Sequence, residues 1–144
     1  MDAQERARRS AVAMFANDRA SPWMGMGPPE VTPGTARMSL TVELHHCNGH
    51  YICHGAVIFG LADSAFAFAC NSYNRPAVAQ HNTITYLAPA RVGDVLTAVA
   101  TEVSRTGRGG LYDVTVSNQD GVQIAAFRGA SRTIKGQHFE ENAP

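Results

Sequence analysis

Residues Cys47 to Asn71 read CNGHYICHGAVIFGLADSAFAFACN, and the fold turns on how this stretch is interpreted. From Ala56 to Cys70 every residue is apolar or small except one acid, Asp63. A helix that is apolar all round is a buried helix, so the pattern predicts a central helix over residues 54–72. An isolated carboxylate on such a helix is costly unless something pairs with it or uses it. No Lys or Arg lies within a turn or two of Asp63, and the closest cation in sequence, beyond the histidines, is Arg75. Two readings follow: an acid at a dimer seam or bonded to a backbone N–H, or a carboxylate held in a dry site as base or nucleophile. The missing partner favours the second.

The composition narrows the setting. At 144 residues the chain reads as one domain, 1–144, large enough for a real core. Its 12 basic and 12 acidic residues balance, and the basic ones are scattered, which argues against nucleic acid or an anionic membrane as partner. No apolar run approaches the roughly 20 residues that span a bilayer. The opening MDAQERARRS lacks the apolar block of a signal peptide, so a cytoplasmic location is expected. Cys47, Cys53 and Cys70 cannot all pair within one chain and read as free thiols.

The flanking segments set the architecture. DAQERARRSAVAMFAND carries charged and small apolar residues at helical spacing and predicts an N-terminal helix within residues 1–20, ended by the prolines and glycines of SPWMGMGPPEVTPG. In TARMSLTVE, Ala36, Met38, Leu40 and Val42 fall at every second position, the mark of a half-buried strand. After the apolar helix come AVAQHNTITYLAPA, DVLTAVATEVSRTG, GLYDVTVSNQ and VQIAAFRGASRTI, separated by the turn signals PARVGD, TGRGG and NQDG. Successive strands with short connections form an antiparallel sheet, and the helix needs a sheet to bury it. The expected fold class is α+β, one long central helix wrapped by a curved antiparallel sheet.

The helix start offers a second chemical element. Gly55 sits where the loop turns into the helix, and the first amides of a helix lack internal partners and lie at the positive end of its dipole. Such N–H groups can polarise a carbonyl, and a glycine lets a ligand approach closely. The preceding loop packs His45, His46, Cys47, His50, Cys53 and His54 into ten residues, a composition able to bind zinc. It contains no C-x2-C, and no further Cys or His follows until Cys70, so no metal is expected. Cys53 and His54 also suggest a thiol nucleophile, but adjacent residues rarely present both side chains to one atom.

The stretch NGHYICHGAVIFGLADSAFAFACNS resembles the signature of the hotdog-fold acyl-CoA thioesterases, in the branch containing the phenylacetic acid degradation thioesterase. That branch shows N-G-H-x-x-C-H-G-G followed, after an apolar turn, by L-A-D-x-A-F-A. The likeness continues through ITYLAPARVGD, GLYDVTVSNQ and AAFRGASRTI, nearly the whole chain after the N-terminal helix. The resemblance implies a helix packed in a sheet, with Asp63 as the catalytic carboxylate and the Gly55 amide polarising the thioester carbonyl. It places Asn48 against the attacking water or the acyl end, His54 beside the carbonyl site and Ser64 among the substrate contacts. Ala56 stands where the family has a second glycine, which narrows the backbone freedom at the helix start.

Geometry adds a constraint of its own. Gly55 and Asp63 are eight residues apart, about 12 Å along one helix, too far for both to touch one carbonyl carbon. If both serve one thioester they come from two chains, so the expected unit is a homodimer with interface sites, and the resemblance adds pairing of dimers into a homotetramer. Arg105, Gly107 and Arg108 in VSRTGRGG place cations and open amides where coenzyme A phosphates could lie, with a solvated turn as the plain alternative. The expected activity is hydrolysis of an aryl- or phenylacetyl-type acyl-CoA without cofactor. Two alternatives stay open: an enoyl-CoA hydratase, whose D-x4-H pattern is countered by Phe68 at that spacing, and a non-catalytic acyl-CoA binder, which would not need Asp63.

Overall fold

In the computed structural model, which describes residues 1–141, the central helix α3 runs from Gly55 to Cys70 and lies across one antiparallel sheet. The strands are β1 (Glu30–Thr32), β2 (Thr35–Thr41), β3 (Ala77–Tyr86), β4 (Val95–Thr106), β5 (Gly109–Ser117) and β6 (Gln123–Thr133), in the order β1-β2-β4-β5-β6-β3. Every neighbouring pair is antiparallel. Because β2 and β3 lie four places apart in that order, the chain between them must cross the sheet, and α3 is that crossing. The class is α+β, as the alternating strands and the apolar helix predict.

The core forms where α3 meets the sheet. Leu61, Ala62, Ala65, Phe66 and Ala69 of the helix are at most 1% exposed, and Met38, Leu96, Ala98, Val114 and Ile124 close over them from the strands. The Phe66 ring packs 5.7 Å from Tyr112 and 5.9 Å from Phe127, centroid to centroid. It fits because position 129 on β6 is glycine: a Cβ there would stand 2.8 Å from the ring. Among the described residues no helix is long and apolar enough to cross a membrane.

The element ends differ from expectation for local reasons. The N-terminal helix anticipated within 1–20 is α1, Ala3–Asn17, with Asp2 capping its start through the Glu5 N–H at 2.8 Å. Asp18 then ends the run by accepting the N–H and hydroxyl of Ser21, at 2.9 and 2.6 Å, which opens the short helix α2 (Ala20–Trp23). The central helix stops at Cys70 rather than 72, because the Asn71 side chain turns back to bond Ala67 and both backbone groups of Ala77. Strand β1 was not anticipated. Pro33 and Gly34 read as a break but form the two-residue turn between β1 and β2, with Gly34 at φ +78°.

Strand β3 holds one irregularity that matters for the site. Its pairing with β6 slips between Ala79 and His81, leaving Gln80 as the extra residue of a β-bulge. Ala77 and Ile84 both pack against the core although the offset between their positions is odd, and the bulge is what reconciles this with the two-residue period of a strand.

The close approach of Phe66 to Gly129 gives a stability test. Gly129→Ala should lower stability by about 1–3 kcal/mol through overpacking, whereas Gly27→Ala, where no atom lies within 4 Å of the added carbon, should change it little. Denaturant unfolding of both variants reads the difference directly.

Candidate active site

The loop before α3 is built to present the helix start. Cys47 and Cys53 face each other in an isolated antiparallel bridge, flanked by the bonds Asn48 N–H to Ile52 O and His54 N–H to His46 O, at 2.9 and 2.8 Å. His54 is the N-cap of α3, and its Nδ1 accepts the Ala56 N–H at 2.9 Å. The Val57 and Ile58 N–H groups bond the His54 carbonyl. The Gly55 N–H is therefore the one amide of the first turn with no acceptor among the described residues. Tyr86 closes over it from the end of β3, its hydroxyl donating to the Gly55 carbonyl at 3.0 Å. Gly55 and Asn48 line one open cavity of about 410 Å³ with Ile58, Tyr86 and Leu87. The Asn48 side-chain oxygen is held by the His50 N–H, which leaves its NH₂ group free to donate.

Asp63 lies two turns further along α3, in a different cavity of about 340 Å³ lined by Met14, Phe66, Ala67, Val78, Ile134 and His138, among others. Its Oδ1 accepts a hydrogen bond of 3.1 Å from Asn82 of β3. Burial raises its pKa above the ordinary carboxylate value, and the Asn82 bond opposes that only in part. No Lys or Arg lines this cavity. Ser64 faces elsewhere: its hydroxyl lies 2.9 Å from that of Ser21, which in turn is bonded to Asp18. It ties α3 to α2.

A third cavity, of about 220 Å³, gathers Arg105, Gly107 and Arg108 of the β4–β5 hairpin with Arg75 and Tyr73, just beyond the C-terminal end of α3. The Arg105 guanidinium sits 3.5 Å from the centre of the Tyr73 ring. Arg75, Arg105 and Arg108 form no ion pair among the described residues. Within one chain the structure thus brings Asn48, His54 and Gly55 together, groups the hairpin residues separately, and sets Asp63 apart from both.

Two histidines of the loop, His46 and His54, are held by backbone groups. Buried His46 accepts the Glu43 N–H on Nδ1 and donates from Nε2 to the Met24 carbonyl, at 3.0 and 2.7 Å. Among the described residues no group of three or more His, Cys, Asp or Glu could hold a metal ion. Cys53 is 4% exposed and its thiol is pushed up to about 11 by burial, the opposite of an activated nucleophile. Asn82 and Tyr86 were not singled out from the sequence, and Arg75 was noted there only as the cation nearest Asp63 along the chain. The bulge hides the phase that turns Asn82 inward.

Comparisons with known proteins give the chain its relatives. Residues 50–125 match the family model described as Thioesterase superfamily. The chain is 40% identical over 131 residues to the acyl-coenzyme A thioesterase PaaI of Escherichia coli K12, covering 91% of this chain and 94% of that protein. It is 35% identical over 116 residues to a putative esterase of Archaeoglobus fulgidus, covering 81% and 75%. The solved structure of the E. coli PaaI protein from the phenylacetic acid degradation operon superposes with a TM-score of 0.91 at 39% identity, over 94% of this chain and 99% of that one. A mutant of the phenylacetic acid degradation protein PaaI from Thermus thermophilus superposes with a TM-score of 0.78 at 32% identity, over 81% and 100%. On this likeness, and with one long helix laid across an open antiparallel sheet, the chain belongs to the thioesterase superfamily and has its hotdog fold.

Proposed function

We propose that the chain is an acyl-CoA thioesterase that hydrolyses an aryl- or phenylacetyl-type thioester to the acid and free coenzyme A, using residues from two chains at each site. The observation that carries this reading is a pair of groups on one helix that lack their usual partners among the described residues: a carboxylate without a cation and an amide without an acceptor. In the reaction the Gly55 N–H, at the positive end of α3, bonds the thioester oxygen where negative charge develops. Asp63 takes a proton from the attacking water, or attacks to form an anhydride that water then opens. The thiolate of coenzyme A leaves and is protonated. The Asn48 NH₂ group would orient the water or the acyl end, and His54, its Nδ1 committed to the cap, would present its other ring nitrogen beside the carbonyl.

Dimerisation answers the geometry. Gly55 and Asp63 open into different cavities, with about 12 Å of helix between them. Strand β3 is a ten-residue sheet edge with Val78 and Tyr86 about half exposed, a surface suited to a second copy. Val95, Val99 and Val103 stand exposed on β4, which suits pairing of dimers into a tetramer. The three arginines without ion-pair partners suit the phosphates of coenzyme A. The location that fits this chemistry is the cytoplasm.

Asp63→Asn should lower kcat by roughly 10²–10⁴ on phenylacetyl-CoA, as loss of a general base does. The same variant should melt at a higher temperature at neutral pH. A carboxyl with a raised folded-state pKa stabilises the fold below its unfolded pKa and loses that contribution as pH rises through the folded value. Near-parental hydrolysis by this variant would overturn the reading.

Arg105→Ala combined with Arg108→Ala should raise KM for acyl-CoA but leave a truncated thioester without the nucleotide nearly unaffected. Equal changes on both substrates would remove the hairpin from the site.

The two-chain arrangement has its own test in mixed dimers. Gly55→Pro deletes the N–H donor at a position where proline suits a helix start, with the half-exposed Tyr86 ring turning aside from a Cβ it would otherwise meet at 3.0 Å. Refolded together with Asp63→Asn, about half the dimers are mixed and roughly a quarter of parental activity should return. A mixture as inactive as its components, with mixed dimers confirmed by mass, would show that both groups serve within one chain or that one of them has no role.

A further inference from the structure

We propose that Asn82 is a positioning residue for the reaction, holding Asp63 and turning its amide over to serve both protonation states of that carboxyl. The inference rests on the reading of Asp63 as the reacting carboxylate.

The bulge at Gln80 is the first support. An unbroken β3 would keep Asn82 out of phase with Ala77; the extra residue puts both on the side facing α3, and Asn82 reaches Asp63 from there. Bulges commonly re-aim a side chain beside a site. The partner of Asn82 on β6 is Gly129, against which the Phe66 ring of α3 packs, so this register brings Asn82 level with the helix. Asn82 thus occupies a place the backbone has been bent to provide.

The second support is a mismatch in its hydrogen bonding. Asn82 donates from Nδ2 to Asp63 Oδ1 at 3.1 Å, while its own side-chain oxygen is buried and has no donor among the described residues. A buried acceptor is rarely left unmet in a folded chain. An ionised Asp63 can only accept, so it needs the NH₂ end of the amide; a protonated Asp63 carries an O–H and needs the oxygen end. A half-turn of the carboxamide exchanges the two ends at nearly the same place. One side chain can therefore support the carboxylate before proton transfer and the acid after it.

The surroundings of Asp63 leave this role to Asn82. Cys70 on the same helix and His138 from the C-terminal segment are the other titratable groups lining its cavity, and α1 contributes Met14. His81 is exposed on β3, and Arg128 on β6 is tied to Asp113. On the α2 side, Asp18 is reached only through Ser21 and Ser64.

The test is the pH profile of kcat/KM for phenylacetyl-CoA, measured on the full chain. Asn82→Ala should lower kcat about tenfold and move the acid limb of the profile up by about one pH unit, since a donor to the carboxylate is lost. Asn82→Asp should move the limb further, because two carboxyls then share one place. Asn82→Ser, which keeps a group able to donate and accept, should fall between Ala and the parent and serves if the alanine variant does not fold. On an Asp63→Asn background, Asn82→Ala should have no further effect. An acid limb unmoved in the alanine and serine variants, or a full loss repeated on the Asp63→Asn background, overturns the inference. Those failures are distinguishable from failure of the underlying reading, which would show as activity in Asp63→Asn itself.

Discussion

Everything in this fold answers to the fact that α3 has no polar face. A sixteen-residue helix of Gly, Ala, Val, Ile, Leu and Phe, with little else, cannot rest on a surface with one side in water. The sheet covers one side through Phe66, Leu61 and Ala62, and the N-terminal segment covers another, where Ser21 meets Ser64. Being enclosed makes the helix a rigid rod, and both proposed reacting groups are fixed on it. Their separation is then a property of the helix repeat, which no adjustment of loops can change. The proposal that sites are shared between chains rests on that rigidity together with the chemistry.

The chemistry asked of the rod is modest. A thioester is already electrophilic, so one polarising amide and one carboxylate are enough to hydrolyse it. The amide is free because His54 has taken the next one and the His54 carbonyl has taken the two after it. The acid proposed to react is also the unfavourable one: burial raises its pKa, and no Lys or Arg among the described residues lines its cavity. The fold tolerates that cost at one position because the rest of α3 is packed without a comparable defect.

Much of this was legible in the sequence. The apolar run around Asp63, the alternation in Ala36–Val42 and the turn signals between the later strands each state a period, and periods survive into the structure. What escaped reading depended on single events that interrupt a period. Pro33 and Gly34 look like a terminator and turn out to be a hairpin, because a two-residue turn uses the same residues as a break. Gln80 shifts the phase of β3 without any compositional mark, so Asn82 reads as a surface residue until the pairing with β6 is known. The helix end at Cys70 was missed because Asn71 stops it through side-chain bonds to residues on both sides of it. Ser64 sits beside Asp63 in sequence and points to a different neighbour, as adjacent helical positions must.

The strand order carries a consequence for how the chain is made. Strand β3 follows α3 directly but pairs only with β6, whose last residue, Thr133, comes close to the end of the described chain. On the ribosome, α3 emerges with β2 already made but before β4, β5 and β6 exist to complete its cover, and β3 waits unpaired beside it. The sheet cannot close in chain order, and its contacts of long sequence separation form late. A nascent chain interrupted in β5 would display an apolar helix covered only in part, by β2 and β4, and an open strand edge, features prone to stick to other chains. For this topology, translation speed through the second half of the message is part of the folding problem.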